Sequence, residues 1–413
     1  MLSAEIIAIG SELLTPEKTD TNSLWLTGRL NDIGIEVKLK TVVGDDGERL
    51  QETVKDALSR SEVVITTGGL GPTADDITRE FTARAVGRDL VYHPEIEDWL
   101  RERFRRWGRE MPEINKTQAF IIDGADVLPN PHGSASGMFL AMDGRILAVL
   151  PGPPRENQPM FSDHVFPRLK EIAGDVYVSR RVLRVAGMGE SAVDEIAAPI
   201  YSAASDVQTS ILFNRTEVEI HIAAQAGSFA AAADASNSLA EKLADALGDA
   251  VFSTNGDTME EVVGTLLRER GETISVAESC TGGLIGRRLT EVPGSSDYFL
   301  EGAITYSNEA KVRVLGVSPD TLDRHGAVSR ECALEMAEGM RRASGTDHSL
   351  SVTGIAGPGG GSDEKPVGTV YIGYSGPAGT HSREISLPGD RYLIRWRASQ
   401  SALDLLRRRL LSA

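Results

Sequence analysis

The chain has 413 residues, 41% of them hydrophobic and 25% charged. That is the make-up of a soluble globular protein, at a length beyond what one hydrophobic core supports. Its 43 Lys and Arg against 60 Asp and Glu leave a net charge of −17, which excludes broad electrostatic binding of nucleic acid but not a small phosphorylated ligand held by local donors. Cys280 and Cys332 are the two cysteines, too few for a disulfide framework. No apolar run suits a membrane helix, and MLSAEIIAIG reads as a strand rather than a signal peptide, so the expected location is the cytoplasm.

Residues 1 to about 170 alternate strand and helix patterns: EIIAIG, the amphipathic TDTNSLWLTGRLNDIG, IEVKLKTVV, GERLQETVKDALSR, SEVVITTGG, ITREFTARAVG and finally RILAVLPGPP. Such alternation predicts an α/β fold, a parallel sheet with helices on both faces. The basic run LRERFRRWGRE, Arg101 to Arg109, reads as a solvated helix face, with a phosphate-steering patch as the alternative.

From 176 to 255 the texture becomes a compact α+β unit: VSRRVLRVAG, ESAVDEIAAPIYSAA, TSILFNR, TEVEIHIAA and the Ala-rich FAAAADASNSLAEKLADALG. Glu217, Glu219 and His221 share one face of a strand there, read as solvent-facing rather than as a metal site. A spacer or dimerisation module is the expectation.

The third unit, 258 to 413, opens with the amphipathic MEEVVGTLLRERG and returns to α/β alternation. AESCTGGLIGRRL places Ser279 between a buried strand and a helix, where Thr281, Gly282 and Gly283 turn the chain and helix-start N–H groups would face an oxyanion. A serine before a glycine-assisted helix is more often a structural cap than a catalytic group. In GAITYSNEAKVRVLG, Tyr306 ends a strand and Lys311 falls in the first turn of the next helix. The dipole and partial burial would lower its pKa toward that of a base, against the plainer reading of a solvated lysine. With no histidine in either motif, a Ser–Lys pair is the natural nucleophile and base. SVTGIAGPGGGSDEKPVGTV brings Thr353, Gly354 and Gly357 to a glycine-dense strand end suited to phosphate or ribose.

AESCTGG, TYSNEAK, HGAVS and TGIAGPGGGSDEKPVGTV, in that order, resemble the C-terminal domain of the CinA family, whose stand-alone relatives are nicotinamide-nucleotide amidases. The resemblance implies Ser279 and Lys311 as the catalytic pair. It makes Tyr306, Thr353 and Arg391 supporting or substrate-contacting positions, and Ser296 in PGSSDYF a further candidate. The implied reaction takes nicotinamide mononucleotide and water to nicotinic acid mononucleotide and ammonia without a cofactor.

At the other end, TTGGLGPTADDITRE passes Gly68, Gly69 and Gly71 before opening a helix near Thr78. Asp75 and Asp76 sit where carboxylates could hold a metal, or could simply cap the helix. GSELL adds Glu12, and LPGPPRE adds Arg155 as a candidate phosphate contact. These motifs resemble the molybdopterin-binding fold of MoaB and MogA, and more closely the CinA N-terminal domain. That resemblance implies ADP-ribose pyrophosphatase activity with a divalent metal ion. Ser136 and Asn157 depart from the family pattern, as loop changes. The whole reads as a homodimeric three-part α/β hydrolase acting on nicotinamide mononucleotide and ADP-ribose. The rival is a non-catalytic pterin- or nucleotide-sensing protein with a decayed amidase.

Overall fold

In the computed structural model, which describes residues 2–412, the chain forms two compact units, 1–178 with 225–232 and 179–224 with 233–413. The first contains β1 (Ser3–Ile9), β2 (Glu36–Val43), β3 (Val63–Thr67), β4 (Leu90–Tyr92), β5 (Phe120–Ile122), β6 (Asp126–Leu128), β7 (Gly137–Met142) and β8 (Arg145–Leu150). Its helices are α1 (Thr21–Asn31), α2 (Gly47–Arg60), α3 (Thr78–Ala85), α4 (Pro94–Arg106), α5 (Pro154–Met160) and α6 (Phe166–Ala173). The main sheet has the order β2-β1-β3-β8-β7-β6. Alternate residues of β1 feed two separate cores. Ile7 and Ile9 pack with Leu50 and Val54 of α2, and Ala4 and Ile6 with Leu26 and Leu30 of α1. Helices on both faces explain why β1 reads as a continuous apolar run.

The sheet is not wholly parallel. β7 runs antiparallel to β8, and β6 to β7. Asp143 and Gly144 join β7 to β8 at φ 40° and 79°, the left-handed pair a two-residue hairpin requires.

The second unit begins with β9 (Tyr177–Ala186), α7 (Glu190–Ser202), β10 (Val207–Asn214), β11 (Glu217–Ala226), α8 (Phe229–Leu247) and β12 (Val251–Ser253). Their sheet has the order β10-β11-β9-β12 and a core that includes Leu183, Val193, Ile220 and Leu243. This segment is no detached spacer. Ala186 and Phe252 belong to the C-terminal core, and Gln400 donates to Glu217 at 3.2 Å. Glu217 and Glu219 do not face solvent either. They are buried and pair with Arg184 of β9, which compensates their charge.

The C-terminal segment holds α9 (Met259–Arg270), β13 (Ile274–Glu278), α10 (Leu284–Thr290), β14 (Phe299–Ile304), α11 (Asn308–Leu315), α12 (Pro319–His325), α13 (Arg330–Ser344), β15 (His348–Gly354), β16 (Thr369–Gly376), β17 (Gly379–Ser386) and α14 (Arg391–Ser412). A capping box of Thr258 and Glu261 starts α9, and Gly271 in the left-handed region ends it. The sheet order is β14-β13-β15-β16-β17; β14, β13 and β15 are parallel, and β16 and β17 antiparallel. On one face Ala277 meets Cys332 and Met336 of α13. On the other, Val276 meets Met259 of α9 and Leu403 of α14. Among the described residues no helix is long and apolar enough to cross a membrane.

Candidate functional site

Ser279 follows the carboxyl end of β13, and its N–H donates to Val352 O at 2.9 Å. Ser307 caps α11, which brings Lys311 back over the end of β14. Lys311 is 1% exposed, and its Nζ lies 3.1 Å from Ser279 Oγ. The same Nζ donates to Thr305 O at 2.8 Å and to Tyr306 O at 3.3 Å. No carboxylate forms an ion pair with it among the described residues. Burial pushes the ammonium below its ordinary pKa, opposed only by the neighbouring thiols of Cys332 and Cys280. Those thiols are buried and themselves pushed up, to about 11 and about 12. A neutral amine has two protons and one lone pair, which matches two carbonyls and one serine hydroxyl.

The helix start behind Ser279 is not free. Glu278, itself buried, accepts from Gly283 N at 3.0 Å, Ile285 N at 3.2 Å and Gly286 N at 2.9 Å. Those three N–H groups of the α10 terminus are therefore not available to the oxyanion that the sequence suggested they would face. The N–H of Cys280, next after Ser279, has no backbone carbonyl partner among the described residues; in serine hydrolases the N–H after a nucleophilic serine is an oxyanion donor. Gly282 and Gly283 turn the chain at φ 60° and 90°, which side-chain-bearing residues resist. Among the described residues the hydroxyls of Thr281 and Thr305 are buried without a partner; Thr281 lies two residues past Ser279, and Thr305 accepts from Lys311 Nζ through its carbonyl. Buried polar groups left unpaired in a native fold call for a ligand or water.

Thr353 extends the row. β13 and β15 pair Glu278 with Val352, so the next pair is Ser279 with Thr353. The Thr353 hydroxyl donates to Ala327 O at 2.7 Å. Arg391 ties the outer rim, donating to Gly357 O at 2.8 Å and to Tyr306 Oη at 3.1 Å. Tyr306 thus reaches Lys311 through its carbonyl, while its phenol, on a residue 61% exposed, faces Arg391. Arg391 is bonded there and is not among the groups that shift Lys311. Gly354 packs against β16, where a Cβ would come within 2.8 Å of Thr369 O, so it serves the sheet. Ser296 does not join the site. It precedes β14 in a short 3₁₀ turn, at the end of the parallel strands opposite Ser279.

In the first unit, Gly68 and Gly69 follow β3 at φ 107° and 63°. A Cβ on Gly68 would meet Ile9 O at 2.2 Å. Asp76 closes the loop, accepting from Gly71 N at 2.7 Å, Thr73 N at 2.9 Å and Thr73 Oγ1 at 2.6 Å. Asp75 is exposed and also bonded by Thr73, which holds its pKa below the ordinary value. Arg79 lies buried beneath the loop, donating to the carbonyls of Gly71 and Leu70, and burial lowers its pKa to about 10. Among the described residues no three His, Cys, Asp or Glu side chains come together to hold a metal ion. Two aspartates, one of them committed to the loop, do not fit a resident divalent ion. Arg155 is exposed, 4.0 Å from Glu156. Asn157 is no loop change: it is buried in α5, donating to Thr67 Oγ1 and Pro151 O at 2.9 Å each.

Known families match all three segments. The "CinA C-terminal domain" matches residues 256–410, the "Damage-inducible protein CinA KH domain" 180–253, and the "Probable molybdopterin binding domain" 5–171. A CinA-like protein of Solibacter usitatus is 47% identical over 409 residues, covering 99% of this chain and 98% of that one. The chain belongs to the CinA family. A CinA-like protein of Koribacter versatilis is 46% identical over 412 residues, covering 99% of this chain and 100% of its own. A solved competence/damage inducible protein from Agrobacterium tumefaciens is 43% identical, covering 36% of this chain and 91% of its own, with a TM-score of 0.35. Two residues of this CinA-family site escape sequence reading, Glu278 and Arg395. The signal for Glu278 was a carboxylate at a strand end before a glycine turn and helix. For Arg395, which donates to Thr281 O at 2.6 Å, it was the four-residue spacing from Arg391.

Proposed function

We propose that the C-terminal segment is an amidohydrolase that deamidates nicotinamide mononucleotide. The observation that carries this is the buried Lys311 Nζ, 3.1 Å from Ser279 Oγ and with no carboxylate partner among the described residues. Neutral Lys311 takes the hydroxyl proton as Ser279 Oγ attacks the carboxamide carbon. The tetrahedral oxyanion takes the Cys280 N–H. Lys311, now an ammonium, returns the proton to the departing nitrogen, releasing ammonia and leaving an acyl-serine. Water activated by the regenerated amine hydrolyses that ester, yielding nicotinic acid mononucleotide. The family resemblance supports the nucleotide substrate, and the geometry supports the Ser–Lys chemistry. Ammonia release by the full chain with nicotinamide mononucleotide, with mass detection of acyl-Ser279, tests both parts. No ammonia release from any carboxamide nucleotide would overturn the reading.

For the N-terminal unit the geometry supports a coarser reading, a nucleotide-binding loop at Gly68–Asp76. The buried Arg79 beneath it, whose guanidinium donates to the carbonyls of Gly71 and Leu70 with Asp76 as the nearby charge, is the observation in favour. ADP-ribose is the candidate ligand by resemblance. Calorimetric titration with ADP-ribose, with and without magnesium, tests it, and no heat under either condition would count against it.

A further inference from the structure

Arg288 lies on α10, the helix that follows the nucleophile turn, and is buried. Its guanidinium donates to Ser399 Oγ at 2.9 Å and to Gln400 Oε1 at 2.6 Å, both on α14, and to Glu260 Oε2 of α9 at 2.6 Å. It also lies over the Trp396 ring of α14, 4.9 Å from the centroid. A rigid planar fork whose donors are spread over three residues fixes direction as well as distance. Arg288 thus locks α10 to α14. Both helices hold the turn that carries Ser279. The start of α10 binds the Glu278 carboxylate through Gly283, Ile285 and Gly286. From α14, Arg395 donates to Thr281 O at 2.6 Å. Ser279 stands between these two anchors, while Lys311 is held apart from them, by Thr305 O and Tyr306 O. A slip of α10 along α14 would therefore move the hydroxyl against its base.

The lock reaches into the middle segment. Gln400 Nε2 donates to Glu217 Oε2 of β11 at 3.2 Å, and Glu217 is bonded in turn by Arg184 of β9. Arg215, in the turn between β10 and β11, lies over the same Trp396 ring at 4.9 Å, one residue from Arg395. Gln400 is thus the neutral bridge between two sets of buried charges, Arg184 with Glu217 and Glu219, and Arg288 with Glu260. A buried polar network of this kind specifies one arrangement of the elements that carry it. The deamidation steps make no use of Arg288, Gln400 or Glu217.

We propose that Arg288 and Gln400 are positioning residues for Ser279, and that Glu217 sets them from the middle segment, which thereby tunes the reaction without touching the substrate. This role rests on the deamidase reading for what Ser279 attacks. The path has three steps: Glu217 orients the Gln400 amide, the amide oxygen orients the Arg288 fork, and the fork fixes α10 against α14 on either side of the nucleophile turn.

The test uses the full chain and two variants, Gln400→Met and Glu217→Met. In both, Arg288 keeps Glu260 and Arg184 keeps Glu219, so no buried charge loses its last partner. Amide exchange across residues 279–286, followed by mass spectrometry, should quicken tenfold or more in each variant, with exchange in β15 as in wild type. In turnover of nicotinamide mononucleotide, kcat should fall tenfold or more with KM within twofold, the split expected when the nucleophile is misplaced and binding is not. Unchanged exchange at 279–286 in Gln400→Met, or faster exchange there with kcat at the wild-type value, overturns the positioning role. Exchange that rises equally in β15 marks a general loosening and overturns it too. A Glu217→Met chain that behaves as wild type while Gln400→Met does not overturns the part given to the middle segment. Faster exchange confined to 279–286 in both variants, in a chain whose wild type releases no ammonia, sinks the deamidase reading and leaves the link to the turn standing.

Discussion

The Glu278 carboxylate receives the Gly286 N–H at 2.9 Å, from the residue immediately before the nucleophile to the first turn of the following helix. Two further N–H groups, from Gly283 and Ile285, converge on the same side chain. Charge-assisted bonds at a helix start are the stronger kind. They hold the glycine turn that aims Ser279.

Glu278→Gln should therefore cost about 2–3 kcal/mol of stability, since an amide nitrogen would face donors where an oxygen accepted them. kcat should fall at least tenfold with little change in KM, because Glu278 positions the nucleophile without touching substrate. Thermal melts and steady-state kinetics on one preparation would show it. A stability loss with kcat intact would make Glu278 a helix cap and nothing more.

Ser279→Ala should abolish ammonia release while leaving the melting temperature within a few degrees of wild type. The side chain is small, and its backbone N–H keeps its bond to Val352 O. Activity within a few-fold of wild type would remove the nucleophile, and Ser296, at the far end of the strands, could not replace it within this chain.

In the N-terminal unit the two aspartates should behave differently. Asp76→Ala removes three loop hydrogen bonds and should destabilise the unit by about 1–2 kcal/mol, as the loss of a helix cap does. Asp75→Ala, on the exposed side, should leave stability unchanged. Denaturant midpoints of the two variants decide this, and equal losses would mean the loop is held in some other way.

The Ser–Lys pair was legible because Ser279 follows one strand end and Lys311 lies in the first turn of the helix after another, and parallel strands bring such ends to one edge. The antiparallel strands β7 and β17 were less so. The Asp143–Gly144 turn was a hairpin signal, but the α/β alternation around it carried the reading. Glu217 and Glu219 were misplaced because a period of two marks which residues share a face and not whether that face is covered. The covering residue, Arg184, lies 33 positions from Glu217 in sequence. Ser296 and the α10 terminus failed for a related reason. A motif gives proximity along the chain, whereas the end of the sheet and the claims of a neighbour such as Glu278 are set in three dimensions.

The last prediction concerns Lys311 and pH. Burial lowers its pKa in the folded chain, while the unfolded value stays at about 10.4. Between the two values the unfolded chain binds more protons, so this residue makes stability rise with pH across that window. Wild type should accordingly gain on Lys311→Met in denaturant titrations as pH rises from the folded pKa toward 10. Activity should follow the same ionisation, with kcat/KM climbing as the ammonium loses its proton, at a pH below the ordinary lysine range. Lys311→Arg should be nearly as inactive as Lys311→Met, because a guanidinium keeps its proton throughout and cannot accept one from Ser279. If Lys311→Arg instead recovered most of kcat and lost mainly in KM, Lys311 would hold substrate charge and the proton of Ser279 would leave by another route.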